Sequence, residues 1–272
     1  MTSTSEPFAF DQDSSIRPVD PNRWSCDLSP AWNIEDNPNG GYVATPVFRA
    51  MSELAGMPNP LSITTHFLRP AVGGRSAEIA CRVRRQGRTS AVVSGALSQD
   101  DIERVVCIGS FGVLDSDSFL DGSTSPAPPV LPPPDQCADR FGLEQGMRIA
   151  LDNRVEVRLH PKCATAGQAD VSVVAGWVRF ADGRPPDTLA LPLFADAFPP
   201  SLYASYGAIG WIPTLELTVH VQRRPVDGWI RARFECSEVV DDRVVEDGVL
   251  WDETGLVVAR SRQLAQILRP RR

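Results

Sequence analysis

Apolar and polar positions along this chain fall into two long, matching series. From Leu61 to Leu114 the residues read Leu-Ser-Ile-Thr-Thr-His-Phe-Leu-Arg-Pro, then two alternating apolar runs, an acidic turn and a last apolar run. From Leu215 to Leu268 they read Leu-Glu-Leu-Thr-Val-His-Val-Gln-Arg-Arg-Pro and then follow the same plan. His66 matches His220, Asp101 matches Gly255 and Leu114 matches Leu268, each pair 154 residues apart (220 − 66, 255 − 101, 268 − 114). Solenoid repeats have periods of roughly 20–50 residues. A period this long is the size of a domain and predicts a duplicated fold.

Alternation of apolar and polar residues predicts strands at 60–69, 76–85, 89–98 and 103–114, and again at 213–223, 228–239, 243–251 and 256–267. The connections between neighbours are short, so they should pair as antiparallel hairpins. Ahead of the first set, Arg23–Ile34 alternates as one more strand, and Asn37-Pro-Asn-Gly-Gly is a turn. Tyr42, Val43, Val47, Ala50, Met51 and Leu54 then recur at helical spacing and predict a helix over 40–55, with Pro46 removing one of its backbone hydrogen bonds. Ahead of the second set come strands near Val155 and at Val173–Phe180. A helical stretch over 187–205 follows, kinked or divided by Pro199-Pro200.

The fold class is therefore α+β, with two units that each place an antiparallel sheet against a helix. Residues 1–114 form the N-terminal unit and 139–272 the C-terminal unit. Residues 115–138, rich in Ser and Pro, form an extended connection. The first 15 residues, Ser/Thr-rich and acidic, should be loosely held.

Composition narrows the partners. A length of 272 residues with 42% hydrophobic content suffices for one or two buried cores. Net charge is −7, and the pI of 5.1 gives no basic surface for nucleic acid. An anionic ligand would need a local cluster of Arg. Six Cys lack C-x-x-C spacing, so no metal is expected, and those inside apolar runs pack as small hydrophobes. The N-terminus does not read as a signal peptide, and no apolar run reaches the roughly 18 residues of a membrane span. A reduced, cytoplasmic protein is expected.

Nucleophile elbows, phosphate loops and dinucleotide fingerprints are absent. Gly40 and Gly41 offer unhindered backbone N–H groups at a helix N-terminus, which favour negative charge on an oxygen, or else form a plain tight turn. Asp196 sits alone in an apolar stretch, as a helix cap or as a buried general base. Thr214 opens one strand. Gln263 shares a strand face with Ser261 and Ala259. His66 and His220, matched by the repeat, read as architectural, and His160 has no evident partner. Arg84-Arg85 and Arg223-Arg224 read as phosphate contacts or as solvated strand ends.

Taken in order, these motifs resemble the acyl-CoA thioesterase II–like family. The resemblance rests on Asn39-Gly-Gly-Tyr opening a helix, Thr65-His-Phe-Leu-Arg-Pro, Leu193-Phe-Ala-Asp-Ala-Phe-Pro-Pro, Pro213-Thr-Leu-Glu-Leu-Thr-Val-His and Val258-Ala-Arg-Ser-Arg-Gln. It spans Arg23 to Leu268 apart from the connection. It implies a double hot-dog fold, in which each sheet wraps a central helix, and an Asp–Thr–Gln site falling on Asp196, Thr214 and Gln263. It also implies hydrolysis of an acyl-CoA by an activated water, with Gly40 or Gly41 polarising the carbonyl, no cofactor, and a homo-oligomer of double units. The sequence departs from the family at Leu215-Glu216-Leu217, at Leu264 and at Pro199-Pro200, which suggests an actinobacterial-type branch. The alternative is a non-catalytic acyl-CoA or lipid-binding protein on the same fold. A hot-dog hydratase would need an Asp/His pair after the helix, which is not found. A dimerisation module would bind no acyl-CoA.

Overall fold

The computed structural model describes residues 7–114, 122 and 124–268. The first part of the predicted connection and residues 1–6 and 269–272 lie outside them. In chain order the elements begin with helix α1 (Ala9–Asp13) and strands β1 (Arg17–Asp20), β2 (Arg23–Leu28), β3 (Asn33–Ile34) and β4 (Asn37–Pro38). Helix α2 (Gly40–Ala55) follows, then β5 (Asn59–Phe67), β6 (Arg75–Gln86), β7 (Ser90–Gln99) and β8 (Ile102–Gly112). The second half holds β9 (Val155–Leu159), β10 (Val173–Phe180), α3 (Ala190–Asp196) and α4 (Leu202–Tyr206). It ends with β11 (Thr214–Val221), β12 (Ile230–Glu235), β13 (Val239–Val240), β14 (Arg243–Trp251) and β15 (Val257–Gln266).

One antiparallel sheet runs through both halves in the order β1, β2, β6, β7, β8, β5, β11, β15, β14, β12, β10, β9. The order reads the same from either edge once β2 is matched with β10, β6 with β12, β7 with β14, β8 with β15 and β5 with β11. The halves join where β5 and β11 pair, with Thr64 opposite Thr218 and their hydroxyls 2.8 Å apart. Those two threonines are themselves repeat partners, 154 positions apart. A pseudo-two-fold axis therefore passes between them.

Helix α2 packs on β6, β7 and β8 through Val43, Val47, Phe48, Ala50 and Met51. The helix runs on through Pro46, whose absent N–H costs one bond while its ring is buried. Asn39 caps its start by accepting the Tyr42 N–H, and Gly56 ends it in the left-handed conformation (φ 63°). In the second half Pro199-Pro200 divides the expected long helix into α3 and α4.

Two expectations are corrected. Residues 9–13 are not loosely held: Phe10 is 0% exposed and packs against Trp32 and Phe180, and Asp11 pairs with Arg49 and Arg184. A five-residue helix is too short to show periodicity, and its partners lie as far as 173 positions away. His160 does have a partner, since its Nδ1 accepts the Lys162 N–H. The described part of the Pro-rich segment lies along the second half of the sheet, where Pro126 and Pro132 carbonyls accept the Trp251 and Trp177 indole N–H groups. Among the described residues no helix is long and apolar enough to cross a membrane.

The contact between α2 and α3 brings the two halves' helices together, and it leaves no room at Gly41. A Cβ there would stand 2.7 Å from Leu193 Cα and 3.1 Å from the Pro192 carbonyl oxygen. Backbone cannot yield as a flexible side chain can, so Gly41→Ala should destabilise the fold by about 1–3 kcal/mol. Urea unfolding followed by circular dichroism checks this; an unchanged midpoint would mean the helices are not in this contact.

Candidate active site between the two units

Four elements meet at a cavity of about 560 Å³: α2 at its start, α3 at its end, β11 at its start and β15 near its end. Its wall is largely apolar, with Val43, Phe67, Leu143, Met147, Phe198 and Ile212 among the lining residues. Asp196, Thr214, Gln263 and Gly40 all line it.

Asp196 is the last residue of α3. It lies deep in the molecule but keeps some surface toward the cavity. Its Oδ2 accepts hydrogen bonds from Asn39 Nδ2 (2.7 Å) and the Gly41 N–H (2.9 Å), and Asn39 Nδ2 also reaches the Asp196 carbonyl (3.0 Å). The carboxylate thus sits on the N-terminus of α2, where first-turn amides have no acceptor within the helix and the dipole favours negative charge. Burial pushes its pKa up from the ordinary 3.8 to about 6, against the downward pull of the Gly41, Asn39 and Gly40 donors, and the Glu246 charge adds to the rise.

Gly41 takes a different place from the one expected of it. Its N–H is held by Asp196, and the residue stands behind the cavity wall. Gly40 lines the cavity and points its N–H at the same carboxylate. A Cβ on Gly40 would lie 2.9 Å from the Phe67 ring and 3.0 Å from Asp196 Oδ2, so any side chain there would have to displace the ring or the carboxylate.

Thr214 reaches the cavity because of a β-bulge. The β11–β15 register pairs Thr214 with Ala265 but Glu216 with Leu264, which leaves Leu215 as an extra residue. Without it, alternation would put Thr214 on the outer face with Glu216 and Thr218; the bulge turns it inward. Gln263 pairs with Leu217 on β11 and with Glu246 on β14.

Pseudo-symmetry supplies an internal comparison. In the first half Pro60 pairs with Phe111 and Ser62 with Ser110, so Leu61 is a bulge at the same place as Leu215. Pro60 therefore holds the position of Thr214. Gly109 pairs with Ile63 as Gln263 pairs with Leu217, and so stands where Gln263 stands. Asn39 faces Asp196 across the pair of helix ends. The first half carries Asn, Pro and Gly where the second carries Asp, Thr and Gln.

Three buried charged residues that the residue motifs did not mark also line the cavity: Glu246, Arg140 and Glu144. Glu246, 8% exposed, accepts the Ser201 N–H at 2.7 Å. Strand alternation of Val244, Glu246, Gly248 and Leu250 does place it inward, and that was the available signal. Arg140 donates to the Ala197 carbonyl (2.6 Å), directly after Asp196, and pairs with Glu144 (3.0 Å) and Asp152 (3.5 Å). Burial and the Asp152 carboxylate push Glu144 upward. Arg140 lies in an irregular stretch with no periodicity to mark it. Cysteine is no nucleophile here: burial drives Cys26, Cys81 and Cys107 up to about 12. His66 and His220 are exposed strand residues that do not line the cavity.

Both halves of the chain are similar to known proteins. The sequence matches the family models of the acyl-CoA thioesterase N-terminal domain over residues 28–112 and C-terminal domain over residues 128–267. A solved structure from Thermobifida fusca, provisionally described as a thioesterase II, is 30% identical with a TM-score of 0.88, covering 97% of this chain and 99% of that one. A protein of unknown function with a hot-dog fold from Alicyclobacillus acidocaldarius is 19% identical with a TM-score of 0.83, covering 97% and 100%. An uncharacterized protein of Mycobacterium tuberculosis is 27% identical, covering 93% of this chain and 96% of its own. A sheet of two matched halves, their helices meeting at one cavity, and these matches along both halves place the chain in the acyl-CoA thioesterase family, with the double hot-dog fold.

Proposed function

We propose that the protein hydrolyses an acyl-CoA thioester to the free acid and CoA, with water as the nucleophile. The observation that carries this reading is a carboxyl group, Asp196, raised to about 6 and facing an apolar cavity together with Thr214 and Gln263. Asp196 Oδ2 is occupied by its α2 donors, which leaves Oδ1 to take a proton from a water that Thr214 and Gln263 help to hold. The water oxygen attacks the thioester carbon as its proton passes to Asp196. Collapse of the tetrahedral adduct breaks the C–S bond and releases the thiolate, which takes up the proton held on Asp196 and so restores the carboxylate. The Gly41 amide is committed to Asp196; of the pair only Gly40 lines the cavity, and its N–H, which points at the same carboxylate, would be shared with the thioester carbonyl to polarise it.

The acyl group fits the apolar wall. Arg69 lines the cavity and has no carboxylate partner among the described residues, which suits it to the CoA phosphates. Pantetheine would pass between the two.

Asp196→Asn should lower kcat roughly 100- to 10,000-fold with little change in KM, measured by thiol release. A variant turning over at the wild-type rate would remove Asp196 from the reaction. Stoichiometric acyl-CoA binding by the wild type with no thiol release would favour a carrier instead. The base works only when ionised, so kcat/KM should rise as pH passes through about 6 and fall below it; this acid limb should be missing from any residual activity of Asp196→Asn. Arg69→Gln should raise KM for acyl-CoA while leaving the acyl-N-acetylcysteamine thioester unaffected. Equal effects on both substrates would place Arg69 elsewhere than on the phosphates.

A further inference from the structure

Glu246 is a buried acid in a place where the fold holds valine. Val93 pairs with Gly109 on the β7–β8 ladder as Glu246 pairs with Gln263 on the β14–β15 ladder, and Val93 is 0% exposed. Burying a carboxylate is costly without compensation, and valine at the matched site shows that the sheet does not need one there. The acid appears in the half that carries Asp196, Thr214 and Gln263, and faces their cavity.

Its contact explains what it does. Proline has no N–H, so after Pro199-Pro200 the first amide beyond Phe198 is that of Ser201. Glu246 accepts that amide at 2.7 Å, five residues after Asp196. The Ala197 carbonyl is held by Arg140 at 2.6 Å. The chain leaving α3 is therefore fastened on both sides of the break, by Arg140 from the irregular stretch ahead of β9 and by Glu246 from β14. The charged and polar groups around Asp196 are then the Asn39, Gly40 and Gly41 donors at the start of α2, Thr214 and Gln263 on the same cavity, the Arg140 guanidinium, and the Glu246 carboxyl, itself pushed up by burial.

We propose that Glu246 is a positioning residue of the site: it holds the chain after Asp196 through the Ser201 amide and sets a second acid on the wall of the cavity that Asp196 lines. The inference rests on the hydrolytic reading for its kinetic arm alone. Glu246→Val installs the residue of the matched half and removes both effects. Glu246→Gln keeps an acceptor for Ser201 and removes only the charge.

With an acyl-CoA, Glu246→Val should fold with a native circular dichroism spectrum and lose roughly 100-fold in kcat at nearly unchanged KM. In Glu246→Gln the Asp196 midpoint, followed by carboxyl 13C titration and identified by its loss in Asp196→Asn, should move to lower pH. A folded Glu246→Val within threefold of the wild-type kcat overturns the positioning role. An unmoved Asp196 midpoint in Glu246→Gln overturns the electrostatic one, and decides the matter if Glu246→Val does not fold. Should the wild type release no thiol, a shifted midpoint still supports the coupling while the hydrolase reading falls.

Discussion

The antiparallel seam between β5 and β11 is the constraint on which the rest of the molecule depends. Its register sets Thr64 against Thr218, so two repeat-related strands meet across a pseudo-two-fold axis and their sheets become one. Once that pairing is made, the helices of the two halves have to face each other at a fixed separation, and Gly41 lies against the Leu193 backbone. The cavity forms between helix ends that neither half supplies alone. Sliding the seam by one residue would turn Thr64 and Thr218 apart and carry every inward side chain of one half outward.

The second dependence is electrostatic. A carboxylate deep in a protein usually gives up its charge. Asp196 escapes only in part, because α2 of the opposite half directs its free amides at it and Asn39 adds a side-chain donor. The result lies between a surface acid and a neutral buried one, at about 6. Asn39 thus does two things with one amide group: its oxygen caps its own helix and its nitrogen binds the acid that corresponds to it in the other half. A residue that could have served as a second carboxylate serves instead as the holder of the first.

Much of this was legible in the residues. Strand alternation placed β5 to β8 and β11, β12, β14 and β15 to within a few positions, because each has one face on the core and one on solvent. Helical spacing located α2 at 40–55, where it is found. The family motifs marked Asp196, Thr214 and Gln263, and all three line one cavity. What escaped was whatever depends on pairing between distant segments. Helix α1 is held by Phe10 and Asp11 through contacts with no local pattern. The Gly41 amide looked free because its acceptor lies 155 positions away. Glu246 was readable from alternation, yet an acid inside a strand is ordinarily taken as solvated, and only the register shows it opposite Gln263.

The bulge at Leu215 has a twin at Leu61, and this bears on how little separates the polar pocket of the second half from its apolar counterpart in the first. The backbone that turns position 214 toward the cavity is present in both halves, so it is a property of the shared scaffold and not an adaptation of one. Between the halves the difference lies in side chains alone at Pro60 and Thr214, Gly109 and Gln263, Val93 and Glu246. Polar groups at those positions can be exchanged for apolar ones without rebuilding a strand, as the first half already demonstrates within the same molecule.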